Sequence, residues 1–193
     1  MNKIIIIIIS FIFLLFVYSC TPQTILAGGA GTTMIVAEGD RSIGTVVDDA
    51  SIKLNISGHL LKAGNNLFIN INSNVLEGRV LLTGIVDTQE IRIDALRIVW
   101  EVDGVKEVIN EIEVGDKTTI KEYANDLWIN TQAKSLAAKN IGLRMLSYNF
   151  ETIRGKVYIT GVTSRPEQLN AVIESTKTIK GVKEIVNYVI IKE

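Results

Sequence analysis

From Leu67 to Val86 apolar and polar side chains alternate, the period of a half-buried β-strand. The alternation predicts a strand over Leu67 to Val75 with Ile69 and Ile71 inward. A second strand then carries Val80 and Leu82 on the same inner side. Between them stands Glu77-Gly78, a residue–glycine pair of the kind that makes a two-residue hairpin turn. Thr83-Gly84 closes the second strand, where a glycine predicts a bulge or a close backbone approach. Upstream, Ile52, Ile56, His59 and Leu60 share a helical face, with Asp48 and Asp49 as starters and Gly64-Asn65-Asn66 as a stop. Downstream, Asp87 and Glu90 are spaced as a capping box for a second helix, whose apolar stripe is Ala95, Leu96, Val99 and Val102. Asp103-Gly104 ends that helix, and Val105 to Val114 predicts a third strand.

The same pattern returns 77 residues later without an insertion. Asp49 falls on Asp126, Ile52 on Ile129, Gly78 on Gly155, Val80 on Val157 and Thr83-Gly84 on Thr160-Gly161. Asp87 and Glu90 fall on Ser164 and Glu167, with Pro166 added in the first turn, where proline is tolerated. Gly104-Val105-Lys106-Glu107 becomes Gly181-Val182-Lys183-Glu184, and Asn110 becomes Asn187. The fold class that follows is α+β: two tandem αββαβ modules, each with two helices on one face of a small mixed three-stranded sheet. The expected boundaries are 46–115 and 125–193, joined by a linker at 116–124. A connection this short places the modules in contact.

Composition narrows the function. Twenty Lys and Arg against 21 Asp and Glu leave no basic excess for a nucleic-acid backbone. The N-terminus carries Lys3, then an apolar run from Ile4 to Phe16 broken only by Ser10. A charged start followed by such a run reads as a signal peptide over 1–19. It is shorter than the roughly 20 residues a membrane-spanning helix needs. Val17-Tyr18-Ser19-Cys20 resembles a bacterial lipobox, and the chain's single cysteine falls at its reactive position. The resemblance implies that Cys20 becomes the lipid-modified first residue of the mature protein. Thr21, in place of the aspartate that signals inner-membrane retention, resembles an outer-membrane address. Residues 20–45 read as a lipidated N-terminus and flexible tether. Gly28-Gly29-Ala30-Gly31 is not a phosphate cradle, since no GK[ST] follows and no strand precedes it.

Two αββαβ units, each with Gly-x-Val-x-(Leu/Ile)-Thr-Gly and a later Gly-Val-x-x-(Val/Ile)-x-Asn, resemble the BON domain, named for bacterial osmotically inducible and nodulation proteins. With the lipobox in front, the chain is similar to the dual-BON outer-membrane lipoproteins. The resemblance covers residues 40 to 193. It implies a non-enzymatic, lipid-anchored protein whose domains face the periplasm, associated with phospholipid and with maintenance of the envelope barrier. It implies no cofactor.

No residue set argues for catalysis. His59 is the only histidine and lies on the buried stripe of its helix, so neither a metal site nor a Cys–His pair can be assembled. Asp48-Asp49 fits capping, and Glu111 and Glu113 fit a solvated strand face. The informative difference between the copies is Leu127-Trp128 in place of Ala50-Ser51. Trp128 stands one step, about 100°, off the stripe Ile129, Ala133, Leu136, so the helix points it outward. An exposed tryptophan, with its apolar body and polar N–H, suits a membrane interface. Leu127 beside it, Tyr123 before it, and Lys134 and Lys139 further along complete a candidate site for anionic phospholipid. From geometry alone Trp128 could equally fill the seam between the modules; the family resemblance favours lipid. Trp100, next to Val99 and Val102, is expected to pack. A second reading is an adaptor that binds another envelope protein through its sheet faces, with Arg79 and Glu107 on the charged side.

Overall fold

The computed structural model describes residues 41–192, so the signal peptide, Cys20 and the tether up to Asp40 lie outside the described residues. Module one runs α1 (Ile43–Ala63), α2 (Asn65–Asn70), β1 (Ile71–Leu76), β2 (Arg79–Val86), α3 (Gln89–Trp100) and β3 (Glu107–Val114). Module two runs α4 (Ile120–Ile141), a 3₁₀ segment (Gly142–Ser147), β4 (Tyr148–Ile153), β5 (Lys156–Thr163), α5 (Pro166–Lys177) and β6 (Glu184–Ile191). In each module the first two strands pair antiparallel, and the third joins the middle strand in parallel through a helical crossover. The αββαβ units and their mixed sheets are as the periodicity predicts.

Several local expectations are corrected. Residues 67–70 are helical instead of extended, so β1 starts at Ile71 and Ile69 points to solvent at 73% exposure. The chain restarts as a short helix after Gly64, whose φ of 149° only a glycine adopts freely. α3 is capped by Thr88, whose hydroxyl accepts from the Ile91 N–H, and not by Asp87. α5 starts after Arg165, with Pro166 in its first turn and no side-chain cap from Arg165 itself. α4 begins at Ile120 under a capping box of Thr119 and Glu122, inside the stretch expected to be linker. Trp100 is half exposed, not packed, and His59 is only partly buried.

The paired aspartates do something the periodicity does not reveal. Asp49 lies well inside α1 and is buried. Its carboxylate accepts from the backbone N–H groups of Glu77 and Gly78 at 2.8 and 2.9 Å. Asp126 does the same from α4 to Arg154 and Gly155, at 2.7 and 2.8 Å. Each turn has positive φ at both central residues, Glu77 56° and Gly78 81°, Arg154 52° and Gly155 82°. Left-handed backbone at a non-glycine costs about 1–2 kcal/mol, and two charge-assisted bonds are enough to offset it. From the other side the Gly78 carbonyl accepts from Lys106 N–H, and the Gly155 carbonyl from Lys183 N–H, both at 2.8 Å. The repeated glycines thus sit at a joint where the helix, the hairpin and the start of the third strand meet. Gly84 fills its own contact: a Cβ there would stand 2.0 Å from the Asn70 carbonyl oxygen.

Two separate cores form, one in each module. Ile56, Leu60, Val80, Leu82, Val99 and Ile112 belong to the first; Ile129, Ala133, Val157, Ile159, Leu169 and Val172 to the second. Both cores belong to one compact unit of the chain, Val36–Glu193. Yet β2 and β5 are buried on both faces. Leu81, Ile85, Tyr158 and Val162 are buried but belong to neither core. Alternation along the strand turns them away from their own helices. They lie in the seam, where the two sheets stack face to face: β1 meets β5, and β2 meets β4.

Candidate functional site

The seam is closed by polar pairs as well as apolar ones. Glu111 of β3 accepts from Lys156 Nζ and Tyr158 Oη, both at 3.3 Å, and from Tyr188 Oη of β6. Burial works against the Glu111 charge, but Tyr188, Lys156 and Tyr158 outweigh it and hold the carboxyl below its ordinary range. Lys156, despite its own burial, is pushed up to about 12 by Tyr158 and Glu111. Tyr158 and Tyr188 also rise to about 12, first through burial, with Glu111 adding to the effect. Thr160 donates to Asn74 at 3.1 Å, and Asn72 donates to Glu151 at 3.0 Å. Lys192 bonds to Glu77, and Arg154 to the Asp116 carbonyl. Glu111 is therefore part of the seam and not a solvated strand residue.

These contacts have a symmetry. Glu111 and Tyr188 are equivalent positions in the two modules, 77 residues apart, and they touch each other. A residue that touches its own equivalent lies on a local two-fold axis. Glu77 with Lys192 has its counterpart in Arg154 with the Gly115–Asp116 segment. The sheet faces are thus occupied by one another, which removes them as the adaptor surface. Of the pair expected on the charged side, Arg79 and Glu107 bind each other at 2.6 Å in partly exposed positions.

Against that near-symmetry, α4 presents an asymmetric outer surface. Its inward side is Asp126, Ile129, Ala133, Ala137 and Ile141. Outside that stripe stand Ile120, Tyr123, Leu127 and Trp128, with exposures of 90, 65, 56 and 47%. At 100° per residue they fall with Lys134 and Lys139, both exposed, in an arc of about 160° that runs from the edge of the buried stripe at Tyr123 to its opposite side at Trp128 and Lys139. All five residues expected at the lipid site therefore share one half of the helix. Within it they divide: Tyr123, Leu127 and Lys134 turn toward the seam, where they line clefts, while Trp128 and Lys139 lie on the far flank. Trp128 does not line the seam clefts. Ile120 joins this side because the helix starts earlier than the periodicity predicts.

Two clefts open along the seam beside α4. One, of about 520 Å³, is lined by Ile69, Asn72, Lys117, Tyr123, Leu127 and Glu151 among others. The other, of about 340 Å³, lies between α1 and α4, with Lys53, Asn72, Asn149, Lys134 and Glu151 on its walls. Burial pushes the Glu151 carboxyl above its ordinary range, against the pull of Lys134, the Asn72 hydrogen bond and Lys53. Module one also exposes apolar side chains: Val47, Leu54 and Leu61 on α1, Ile93 and Trp100 on α3. Among the described residues no group of three or more His, Cys, Asp or Glu is placed to hold a metal ion. No helix among them is long and apolar enough to cross a membrane.

Comparison with known proteins agrees with the duplication. The family model described as BON domain matches twice, over residues 48–116 and 125–193. An uncharacterized protein from the gshII 5′ region of Anaplasma centrale is 41% identical over 147 residues, covering 76% of this chain and 96% of its own. The outer membrane lipoprotein DolP of Haemophilus influenzae is 28% identical over 173 residues, 89% of this chain and 88% of its own. A 21 kDa hemolysin of Actinobacillus pleuropneumoniae is 31% identical over 153 residues, 77% of this chain and 78% of its own.

Proposed function

The chain belongs to the BON-domain family, and we propose that it is an envelope lipoprotein whose second module docks on anionic phospholipid and so supports the outer-membrane barrier. The observation that carries this reading is the exposed side of α4, where Ile120, Tyr123, Leu127 and Trp128 stand in water from the edge of the buried stripe round to its opposite side. A helix fully satisfied by its own core gains nothing from four large apolar groups in water. Placed at the headgroup boundary, the same groups bury apolar area while Lys134 and Lys139 meet lipid phosphates. Similarity to an outer membrane lipoprotein supports the address. Anchoring through Cys20 at the outer membrane, with the modules facing the periplasm, completes the reading. The role is binding and not catalysis.

The test is co-sedimentation of residues 41–193 with phosphatidylglycerol-containing vesicles against pure phosphatidylcholine. Trp128→Ala should lower binding about tenfold, the scale of one buried large side chain, with an unchanged circular dichroism spectrum. Binding equal to wild type would refute the reading. An adaptor role keeps one supporting observation, the exposed Val47, Leu54 and Leu61 of module one, which a protein partner could cover.

A further inference from the structure

Resting on the docking reading above, we propose that the cleft between α1 and α4 holds the phosphate of one anionic lipid headgroup, gripped by Lys53 from module one and Lys134 from module two. Both modules would then make a single lipid site, in place of one module that binds and one that supports.

The cleft straddles the local two-fold axis. Ser57 and Lys134, Asn72 and Asn149, and Asn74 and Glu151 are three pairs of equivalent positions, and all six side chains line it. Symmetry alone would make the two walls alike. They differ in charge: the second module has Lys134 and Glu151 where the first has Ser57 and Asn74. Lys53 enters from the first module, and its own counterpart is the uncharged Asn130. Two lysines from helices far apart in sequence therefore line one groove whose other polar side chains are amides, hydroxyls and the Glu151 carboxyl. Both act on Glu151 through space without closing a salt bridge to it. Asn72 and Asn149 add amide donors able to bond phosphate oxygens.

The neighbouring cleft supplies the rest of a lipid. It shares Asn72 and Glu151, which are hydrogen-bonded to each other, with the first, so the two clefts adjoin along the seam. Its walls include Ile69, Tyr123 and Leu127, all exposed apolar groups, two of them on the docking face of α4. A phosphate between the lysines would leave the acyl end of the molecule beside these side chains. Glu151 is the group that opposes an anion there. Burial raises its carboxyl, and the Asn72 amide already donates to one of its oxygens.

The experiment uses residues 41–193 and phosphatidylglycerol-containing vesicles at constant salt. Lys53→Glu should weaken binding about tenfold or more, as Lys134→Glu does, on the scale of one basic residue near an anionic surface. Glu151→Gln should strengthen it several-fold. Lys62→Glu makes the same charge change on α1 outside the cleft and should act less than half as strongly. Should Lys53→Glu bind like wild type while Trp128→Ala loses binding, the shared site falls and docking through α4 stands. Should Lys62→Glu cost as much as Lys53→Glu, only bulk charge is at work and the shared site falls. Should neither Lys53→Glu nor Trp128→Ala change binding, both readings fall together. Thermal melts of each variant confirm that the fold is intact.

Discussion

Module one and module two hold their hairpins with the same atoms and turn different surfaces to their surroundings. Asp49 and Asp126 make the same pair of backbone bonds, and Lys106 and Lys183 close the same turn from the other side. The outer sides of α1 and α4 diverge: Ala50, Ser51, Leu54 and Ser57 in one stand where Leu127, Trp128, Thr131 and Lys134 stand in the other. Duplication preserves what the backbone needs, namely acceptors for buried N–H groups and room where chains touch. Positions facing out carry no such demand, so they are free to specialise.

The largest effects should come from the joints the copies share. At Gly84 a methyl group would stand 2.0 Å from a backbone oxygen at φ 135°, whereas at Gly161 the closest approach is 2.5 Å. Gly84→Ala should cost at least about 4 kcal/mol and Gly161→Ala roughly half that, read from urea unfolding midpoints. Equal costs would mean that the first joint relaxes more easily than its geometry indicates. Next come the aspartates. Asp126→Ala strands one buried and one part-buried N–H group and should cost about 3 kcal/mol. Asp49→Ala should cost about 1 kcal/mol more, because Asp49 also pairs with the side chain of Arg41. The same denaturation series would show this difference, or its absence.

A smaller effect is expected where the modules meet. Glu111→Gln weakens three seam bonds at once and should cost about 1–2 kcal/mol at neutral pH. The sign with pH follows from the lowered carboxyl. Its stabilisation is complete above the ordinary value of 4.5 and is lost as pH falls through the lowered folded value. The wild type should therefore lose seam stability in that acid window, and Glu111→Gln should lose less there. Parallel unfolding curves at pH 7 and pH 3.5 decide it.

Much of this architecture is legible in the residues. The 77-residue offset, the Xaa-Gly turns and the helical stripes lead to two αββαβ units, because each is a local property of the backbone. Asp49 looks like a helix starter because Asp and Asn favour helix ends, and only the tertiary approach of the hairpin shows its use. Ile69 was placed inward by an alternation that a short helix interrupts. Glu111 reads as solvated because alternation names the face but not what covers it. The candidate docking residues were found by comparing the copies. Nothing in α1 by itself points to the groove that Lys53 lines together with α4.

The smallest effect is the most discriminating between the modules. Leu54 stands 73% exposed on α1, at the position equivalent to Thr131 of α4, and touches neither core cluster. Leu54→Ser should change stability by less than about 0.5 kcal/mol. If vesicle binding belongs to α4 and the seam cleft, it should also leave phosphatidylglycerol binding unchanged. A loss comparable to that of Trp128→Ala would mean that the outer face of α1 reaches the lipid too. The modules would then be alike in function as well as in fold, and the substitutions at 127 and 128 would adjust a contact that both copies make.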